Sequence, residues 1–301
     1  MLYSAIIADM RDGGGYYESA AIELRRGHYP LRPFITFRLP TLAWLSTELG
    51  KRALSIAQWL LAIGVLILWR RQLKFMPLGV TGAALILTLL GLSGLVEPSV
   101  GLFAESWAAM LLAAAIAIDR PGTRLLALAA GLAALLFREL ALPAILSFGL
   151  VAGLQRRWRE AAGWGLVITM FLIAVFFHAR AVAAVVMATD LASPGWSSFA
   201  GPGFAISCMV LATPLSLMPA KLGAAALAMS LFGWLSLDEL WAIAALMVLT
   251  ITLAMLAIMA RPDTYYWALM AAPLSLTGLA FVPAALGDLA RSLRGVSVRV
   301  Q

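Results

Sequence analysis

The chain has 301 residues, of which 62% are hydrophobic and only 12% are charged, and it carries a formal net charge of +7. Soluble domains contain about 25% charged residues, so this composition excludes a soluble globular protein. The positive charge does not indicate nucleic-acid binding, because the basic residues lie mostly in short loops between apolar segments. In such loops they act as topology signals and contact membrane lipids.

Long uncharged segments predict membrane-spanning helices. Residues 75–96, 240–260 and 264–287 contain no Asp, Glu, Lys or Arg. Each is long enough to cross a hydrocarbon core of about 30 Å at about 1.5 Å per residue. Leu and Ala dominate these segments, which favours helices over the alternating strands of a barrel. We therefore predict an all-α polytopic membrane protein with about nine or ten transmembrane helices in a single transmembrane domain, 1–301.

The first 52 residues form the only long polar region of the chain. Two segments with helical character, Tyr17–Arg26 and Leu42–Leu49, are separated by glycines and prolines, which interrupt helices. The apolar start, Met1–Ala8, is too short to span a membrane. We expect residues 1–52 to form an external loop region of short interfacial helices on the membrane surface. A helical bundle over 53–287 and a tail over 288–301 would follow.

Three short basic loops, around Arg70, Arg120 and Arg156, recur between the apolar segments. Two segments separate each loop from the next, so all three lie on one face, which the positive-inside rule makes cytoplasmic. Ten spans would leave the basic tail outside and nine would place it inside, and prolines within 203–236 leave that choice open. The spans are predicted at about 53–69, 76–95, 100–118, 125–137, 140–154, 161–178, 203–219, 222–236, 240–260 and 264–284.

The segment 125–154 is too long for one helix and too short for two complete spans, and Arg138 and Glu139 lie at its centre. Charge at membrane depth requires protein or a wet cavity around it. We therefore predict two short helices that meet at an external corner and line a cavity. Arg138 would pair there with Glu105 or Glu97, or with a bound phosphate. Glu139 is expected to point to another helix face.

The most specific local pattern begins at Asp12. It reads Asp12-Gly13-Gly14-Gly15-Tyr16-Tyr17-Glu18-Ser19-Ala20 and continues with Gly27-His28-Tyr29-Pro30 and Arg38-Leu39-Pro40. A triple glycine permits close backbone approach and unusual dihedral angles, and here it separates a carboxylate from an aromatic-rich helix. Alternatively, Asp12 caps that helix, since Asp is a preferred N-cap residue. No Lys-Ser/Thr pair follows the glycines, which excludes an ordinary phosphate-binding loop.

This order of residues resembles the first external loop of GT-C superfamily glycosyltransferases, multi-spanning enzymes that use polyprenyl-phosphate-linked sugars. The resemblance covers residues 12–40, and it implies that Asp12 is the catalytic base, with Asp9 as its rival. In that family a complete transmembrane helix precedes the loop, whereas only Met1–Ala8 precedes it here. The resemblance therefore implies either an N-terminal truncation or a less firmly placed first loop.

The resemblance further implies an inverting hexosyl transfer at the outer face of a bacterial inner membrane, from a polyprenyl-phosphate-sugar donor to a lipid or glycan acceptor. A carboxylate would take the acceptor proton, and cationic groups would stabilise the phosphate leaving group. No cofactor is expected, although a divalent metal is left open. The candidate residues are Arg138, Arg38, Arg32 and Arg180 for the donor phosphate, and Glu105, Glu139, Tyr16, Tyr17 and His28 for the cavity and acceptor.

Two other classes of function stand as alternatives. A transporter or lipid flippase would show internal repeats and ionisable residues near the midplane of several helices, and the sequence shows no convincing repeat. A non-catalytic membrane assembly factor would be consistent with a missing first helix. The single cysteine, Cys208, excludes an internal disulfide and is expected to be a small packing residue.

Overall fold

The computed structural model describes residues 2–97, 99–120, 122–195 and 199–293, so the last part of the predicted tail, 294–301, lies outside it. Within these ranges the protein is helical, and the one strand-like contact is an isolated parallel bridge between Arg32 and Ala192. The predicted all-α polytopic fold is confirmed. Five of the described helical segments are long and apolar enough to cross a membrane: Phe34–Gln72, Leu78–Val96, Trp158–Val185, Leu240–Ile258 and Pro262–Leu293.

The polar N-terminal region folds into a helical hairpin. Helix α1 (Leu2–Arg11) and helix α2 (Tyr16–Arg26) pack against each other, and a 3₁₀ turn at Phe34–Thr36 leads to the first long helix. A small apolar cluster, separate from the main core of the bundle, packs the hairpin against the chain that follows it and against the later helix that contains Val182. Its buried members include Ile6, Tyr16, Ala20, Leu24, Leu31, Phe37 and Val182.

Helix α3 (Thr41–Gln72) joins the predicted interfacial segment and the first predicted span into one element that bends at Gly50. The φ of Gly50 is 73°, in the left-handed region that glycine adopts without steric cost. Before the bend, α3 contacts α1, since Arg11 donates a hydrogen bond to the Ser46 carbonyl at 2.7 Å. After the bend it enters the bundle.

The bundle continues with α4 (Leu78–Ser93), α5 (Ala104–Ile118), α6 (Arg124–Phe137), α7 (Leu142–Leu154) and α8 (Trp158–Val185). α5 lies at the centre, because 13 of its 15 residues are buried. Its many alanines allow α3 and α6 to approach it closely, which small side chains favour in membrane bundles. The spans predicted for this half of the chain match these helices, although α8 extends well beyond 161–178.

The three basic loops lie at one end of the bundle, which we name the basic end. Arg120 donates to the Gln72 side chain at 2.7 Å, and Arg124 lies 2.7 Å from Glu160, so the three loops contact one another. The opposite end, which we name the loop end, holds the described parts of the connections 27–40, 97–103 and 186–200. The prediction that the basic loops share a face is consistent with this arrangement.

Helix α9 (Gly201–Leu211) begins and ends at the loop end. Arg261 contacts the carbonyl of Gly195, six residues before α9, and the carbonyl of Ala212 just after α9 faces Gly94 at the loop-end terminus of α4. A 3₁₀ turn at Pro214–Leu217 follows. The part predicted as span 203–219 therefore does not cross the bundle.

Helix α10 (Ala220–Leu235) then runs to the basic end and α11 (Leu240–Ile258) returns. The last passage is irregular: a 3₁₀ helix at Pro262–Ala271, α12 (Ala272–Ser275), a 3₁₀ turn at Thr277–Phe281 and α13 (Val282–Leu293). Phe281 packs on Trp234 with ring centroids 5.3 Å apart, which puts α13 at the basic end. The described part of the chain thus passes nine times between the two ends.

Candidate functional site

Four charged side chains meet below the loop end, and we name them the charge cluster. Arg138 Nε lies 2.6 Å from Glu105 Oε1, and Arg138 Nη1 lies 2.6 Å from Glu139 Oε1. Arg38 Nη1 lies 4.0 Å from Glu105 Oε2. The Glu105 side chain is fully buried, and that of Arg138 is 8% exposed. Two positive and two negative charges are thus held together almost without water.

A break in the helical path brings Arg138 and Glu139 together. α6 ends at Phe137 because Arg138 is extended, with φ −151° and ψ 117°, and Glu139 begins a separate 3₁₀ turn. The predicted corner of two short helices is confirmed. The expectation that Glu139 points to another helix face is wrong: because the backbone of Arg138 is extended, the Glu139 carboxylate accepts a hydrogen bond from Arg138.

Glu105 lies in the first turn of α5, where the helix dipole favours a negative charge. Of the two acidic partners predicted for Arg138, the structure selects Glu105, since Glu97 is exposed. The Arg138 Nε–H does not point at Glu105 well enough for a hydrogen bond, and no described group donates one to either Glu105 oxygen. Arg138 and Glu105 therefore attract each other as opposite charges, and the Glu105 oxygens can still accept hydrogen bonds.

Aromatic side chains from both ends of the chain enclose Arg38. Its guanidinium lies 4.5 Å from the ring centroid of Tyr3 and 5.6 Å from that of Tyr266, within the range of cation–π attraction. The Tyr16 hydroxyl donates to the Arg38 carbonyl at 2.6 Å. α1 and α2 therefore cover the charge cluster, and Tyr16 fixes the backbone of Arg38.

Two cavities adjoin Arg38 and its neighbours. A pocket of about 10 Å³ beside Tyr3, Tyr16 and Arg38 has room for roughly one water molecule. A larger, mostly apolar cavity of about 250 Å³ has Tyr266 in its wall but none of the four residues of the charge cluster. Its lining includes Val100, Phe103, Cys208, Leu211, Tyr265 and Leu269. Cys208 is buried there as a packing residue.

Asp12 lies apart from the charge cluster. It is exposed in the turn between α1 and α2, and none of the described residues forms an ion pair or side-chain hydrogen bond with it. Gly15 is the N-cap residue of α2, so Asp12 does not cap that helix. Tyr3, which contacts Arg38, precedes Asp12 by nine residues, or about 13 Å along a helix axis. Asp9, the rival base, is also exposed near the same turn.

Two predicted phosphate ligands lie elsewhere. Arg32 Nε donates to the Asp190 carbonyl at 2.9 Å, and so it ties the 27–40 connection to the loop after α8. Arg180 is exposed on α8, two residues after the buried His178, and two helical residues are separated by about 200° around the axis. It therefore faces away from the buried side of α8, with its guanidinium 5.9 Å from the Phe176 ring.

The remaining candidates flank the hairpin. The Tyr17 hydroxyl lies 3.1 Å from His178 Nδ1, which links α2 to α8. His28 is exposed after α2 and has a positive φ of 53°. Among the described residues, no group of three His, Cys, Asp or Glu side chains could hold a metal ion.

Sequence reasoning missed Tyr3 and Tyr266, which contact Arg38 from opposite ends of the chain. No spacing rule joins residues so far apart, and each tyrosine also fits an ordinary interfacial position. No model of a known protein family, no curated protein and no solved structure matches the chain. The functional interpretation therefore rests on the residues of the chain itself.

Proposed function

We propose that the protein is a glycosyltransferase of the bacterial inner membrane, which moves a hexose from a polyprenyl-phosphate donor to a lipid or glycan acceptor at the loop end, on the outer face. The observation that carries this proposal is the pair of closely placed arginines, Arg38 and Arg138, together with an apolar cavity lined by Tyr266, whose ring Arg38 contacts. Guanidinium groups bind phosphate in a planar, bidentate manner, and an apolar cavity suits the first isoprene units of the donor.

The charge cluster also suits the chemistry of such a transfer. The acceptor hydroxyl attacks the anomeric carbon, the bond from that carbon to the phosphate oxygen breaks, and the phosphate leaves with the electron pair. Arg38 and Arg138 would stabilise the negative charge that develops on the phosphate. In this proposal the donor phosphate displaces Glu139 from Arg138, since the Glu139 side chain is 18% exposed and that of Glu105 is fully buried.

The acceptor proton requires a carboxylate within hydrogen-bond reach. The resemblance favours Asp12, which reaches the donor only if the α1–α2 turn approaches the charge cluster. The geometry favours Glu139, which already contacts Arg138. We propose Asp12 as the base that accepts the acceptor proton, as the resemblance implies, and Glu139 as the alternative base that the geometry favours.

A transporter is the weaker proposal. The central helix α5 carries Glu105 near the loop end, and Asp119 follows it at the basic end. Between them, Ser106 is the one polar residue, so no polar path follows α5 across the bundle. The described buried charges also lie near the two ends and not at the midplane.

Transfer of radiolabelled sugar from synthetic polyprenyl-phosphate donors in proteoliposomes tests the donor site. We expect Arg138→Met to lower kcat/KM at least 100-fold, as loss of a charge-assisted phosphate contact costs roughly 1.5–3 kcal/mol and the transition state adds to it. Arg38→Lys keeps the charge and should raise KM for the donor. Arg180→Met, a loop-end arginine on the outward side of α8, is the matched control and should retain activity.

The same assay assigns the base. Loss of activity in Asp12→Asn with activity retained in Asp9→Asn and Glu139→Gln supports Asp12. Loss in Glu139→Gln alone transfers the role to Glu139. Full activity in all three variants, each checked for monodisperse protein, would rule out Asp12, Asp9 and Glu139 as the base.

A further inference from the structure

A cavity of about 270 Å³ opens at the basic end, away from the charge cluster. It lies between the end of α5, the starts of α6, α8 and α11, and the second half of α7. Charged side chains line its mouth: Asp119, Arg124, Arg157, Glu160 and Glu239. Apolar side chains line its interior: Phe148, Trp164, Trp241 and Met247 among them.

Each of the two arginines at the mouth keeps one guanidinium amino group, Nη2, free of partners among the described residues. Arg124 Nε lies 2.9 Å from Asp119 and its Nη1 lies 2.7 Å from Glu160. Arg157 Nη1 also pairs with Glu160, and its Nε donates to Gln155 at 3.0 Å. Within the described chain, the Nη2 group of neither arginine has a partner. Both Nη2 groups can therefore donate to an additional anion.

Glu239 gives the mouth an unbalanced negative charge. It is exposed and forms no ion pair with any described residue. Three carboxylates and two guanidinium groups give the mouth a formal charge of −1. An anionic ligand alone would increase this imbalance, whereas a ligand with both an anionic and a cationic group can bind the free Nη2 groups of the arginines and Glu239 together.

The interior of the cavity matches a hydrocarbon chain. Leu240, Ile243, Ala244 and Met247 occupy positions i, i+3, i+4 and i+7 of α11, on one helix face, and each is partly exposed. From Glu239 to Met247 the cavity extends about 12 Å along α11. Half of a bilayer core is about 15 Å, so the cavity reaches through most of one leaflet.

We propose that this cavity binds a phospholipid with a primary ammonium head group, of the phosphatidylethanolamine class. The lipid phosphate accepts hydrogen bonds from the Nη2 groups of Arg124 and Arg157, and its ammonium group donates to Glu239. One acyl chain lies along the exposed face of α11. A choline head group has no N–H to donate to Glu239, so the site distinguishes the two zwitterionic lipids.

Native mass spectrometry of the purified full chain in detergent, titrated with phosphatidylethanolamine, phosphatidylcholine or phosphatidylglycerol, tests this proposal. We expect phosphatidylethanolamine to bind most tightly. Glu239→Gln should weaken its binding roughly two- to fivefold, as for one exposed charged contact. Asp238→Asn removes the neighbouring exposed acid, which does not line the cavity, and should leave binding unchanged.

Ala244→Trp fills the cavity and should reduce binding of phosphatidylethanolamine more strongly than Glu239→Gln does. Equal losses in Glu239→Gln and Asp238→Asn would overturn the assignment of the head group. Tighter binding of phosphatidylglycerol or phosphatidylcholine would overturn the class of lipid. Because Glu239 is exposed, its variant keeps the proposal testable even if Ala244→Trp does not fold.

Discussion

Glu105 depends on the two arginines of the charge cluster, because its side chain has no exposed surface. Glu105→Gln would leave Arg38 without its carboxylate and Arg138 with Glu139 alone. Removing one partner of a buried ion pair costs about 3–5 kcal/mol, and the remaining Glu139 pair puts this variant at the lower end. We expect a lower temperature of half-maximal monodisperse protein in detergent.

Arg138→Met in the Glu105→Gln background provides the control for this effect. The double variant removes opposite charges together, so its loss of stability should be smaller than the sum of the two single losses. Additive losses would show that Glu105 and Arg138 are not energetically coupled.

The Arg25–Asp190 pair links α2 to the loop after α8 and makes this contact sensitive to acid. Arg25 donates to both Asp190 oxygens at 2.7 Å, and the Met187 N–H donates to Asp190 at 2.7 Å. These hydrogen bonds, led by Arg25, lower the pKa of Asp190 from 3.8 to about 2. The ionised carboxylate therefore stabilises the folded protein above pH 3.8, and this contribution is lost as the pH falls to about 2.

A double-variant cycle of Arg25→Gln and Asp190→Asn measures the contribution of the Arg25–Asp190 pair. We expect the two substitutions to be coupled at pH 7, when thermal unfolding in detergent is followed, and the coupling to decrease as the pH falls through about 2. Coupling that persists unchanged at pH 2 would contradict ionisation as its source.

At the level of elements, the last passage is held by contact between backbones. A Cβ atom on Gly278 would overlap the Ser230 carbonyl of α10, and one on Gly233 would overlap the Gly278 carbonyl. Gly278→Ala should therefore destabilise the protein by at least about 1–3 kcal/mol, the usual cost of overpacking. The measurement is again thermal unfolding in detergent.

Gly165→Ala on α8 is the matched control, because nothing lies within 4 Å of a Cβ atom at that position. It should be neutral or slightly stabilising, since alanine favours a helix by up to about 1 kcal/mol over glycine. A Gly278→Ala variant as stable as Gly165→Ala would contradict the close packing of α10 on the last passage.

Hydropathy predicted well those helices in which the apolar residues of the local sequence are the ones buried in the bundle or facing the membrane. The corner at Arg138 was predictable because a charge within an apolar segment needs a partner at that depth. The irregular passage over 262–281 could not be predicted. An uncharged segment indicates that the chain is buried in protein or membrane, but it does not distinguish an α-helix from 3₁₀ turns. Pro262 and Pro273 lack the N–H of a regular helix, and Thr277 gains a buried contact of 2.9 Å with Thr88 instead.

At the level of the whole molecule, the two ends of the bundle differ in charge and in the sites that they hold. The charge cluster lies below the loop end, under the α1–α2 hairpin, and a cavity of about 270 Å³ lies at the basic end. Sequence reasoning identified Arg138, Glu105 and Arg38, since arginine and glutamate in apolar surroundings stand out. It could not identify the cavity at the basic end, because its lining comes from five helices whose contacts depend on the complete packing.

With nine passages, the start of the first membrane helix and the end of the last lie on opposite sides of the membrane, and this can be tested. Lys74, in the first basic loop, and Gly287, on α13, both lie at the basic end and are exposed, whereas the exposed Arg180 lies near the loop end of α8. In a Cys208→Ala background expressed in bacteria, Lys74→Cys and Gly287→Cys should resist a membrane-impermeant maleimide until the inner membrane is permeabilised, because the positive-inside rule places basic loops in the cytoplasm. Arg180→Cys should react in intact spheroplasts. Ten passages would instead make Gly287→Cys react together with Arg180→Cys, and reaction of Lys74→Cys in intact spheroplasts would invert the orientation and move the proposed transfer site to the cytoplasmic face.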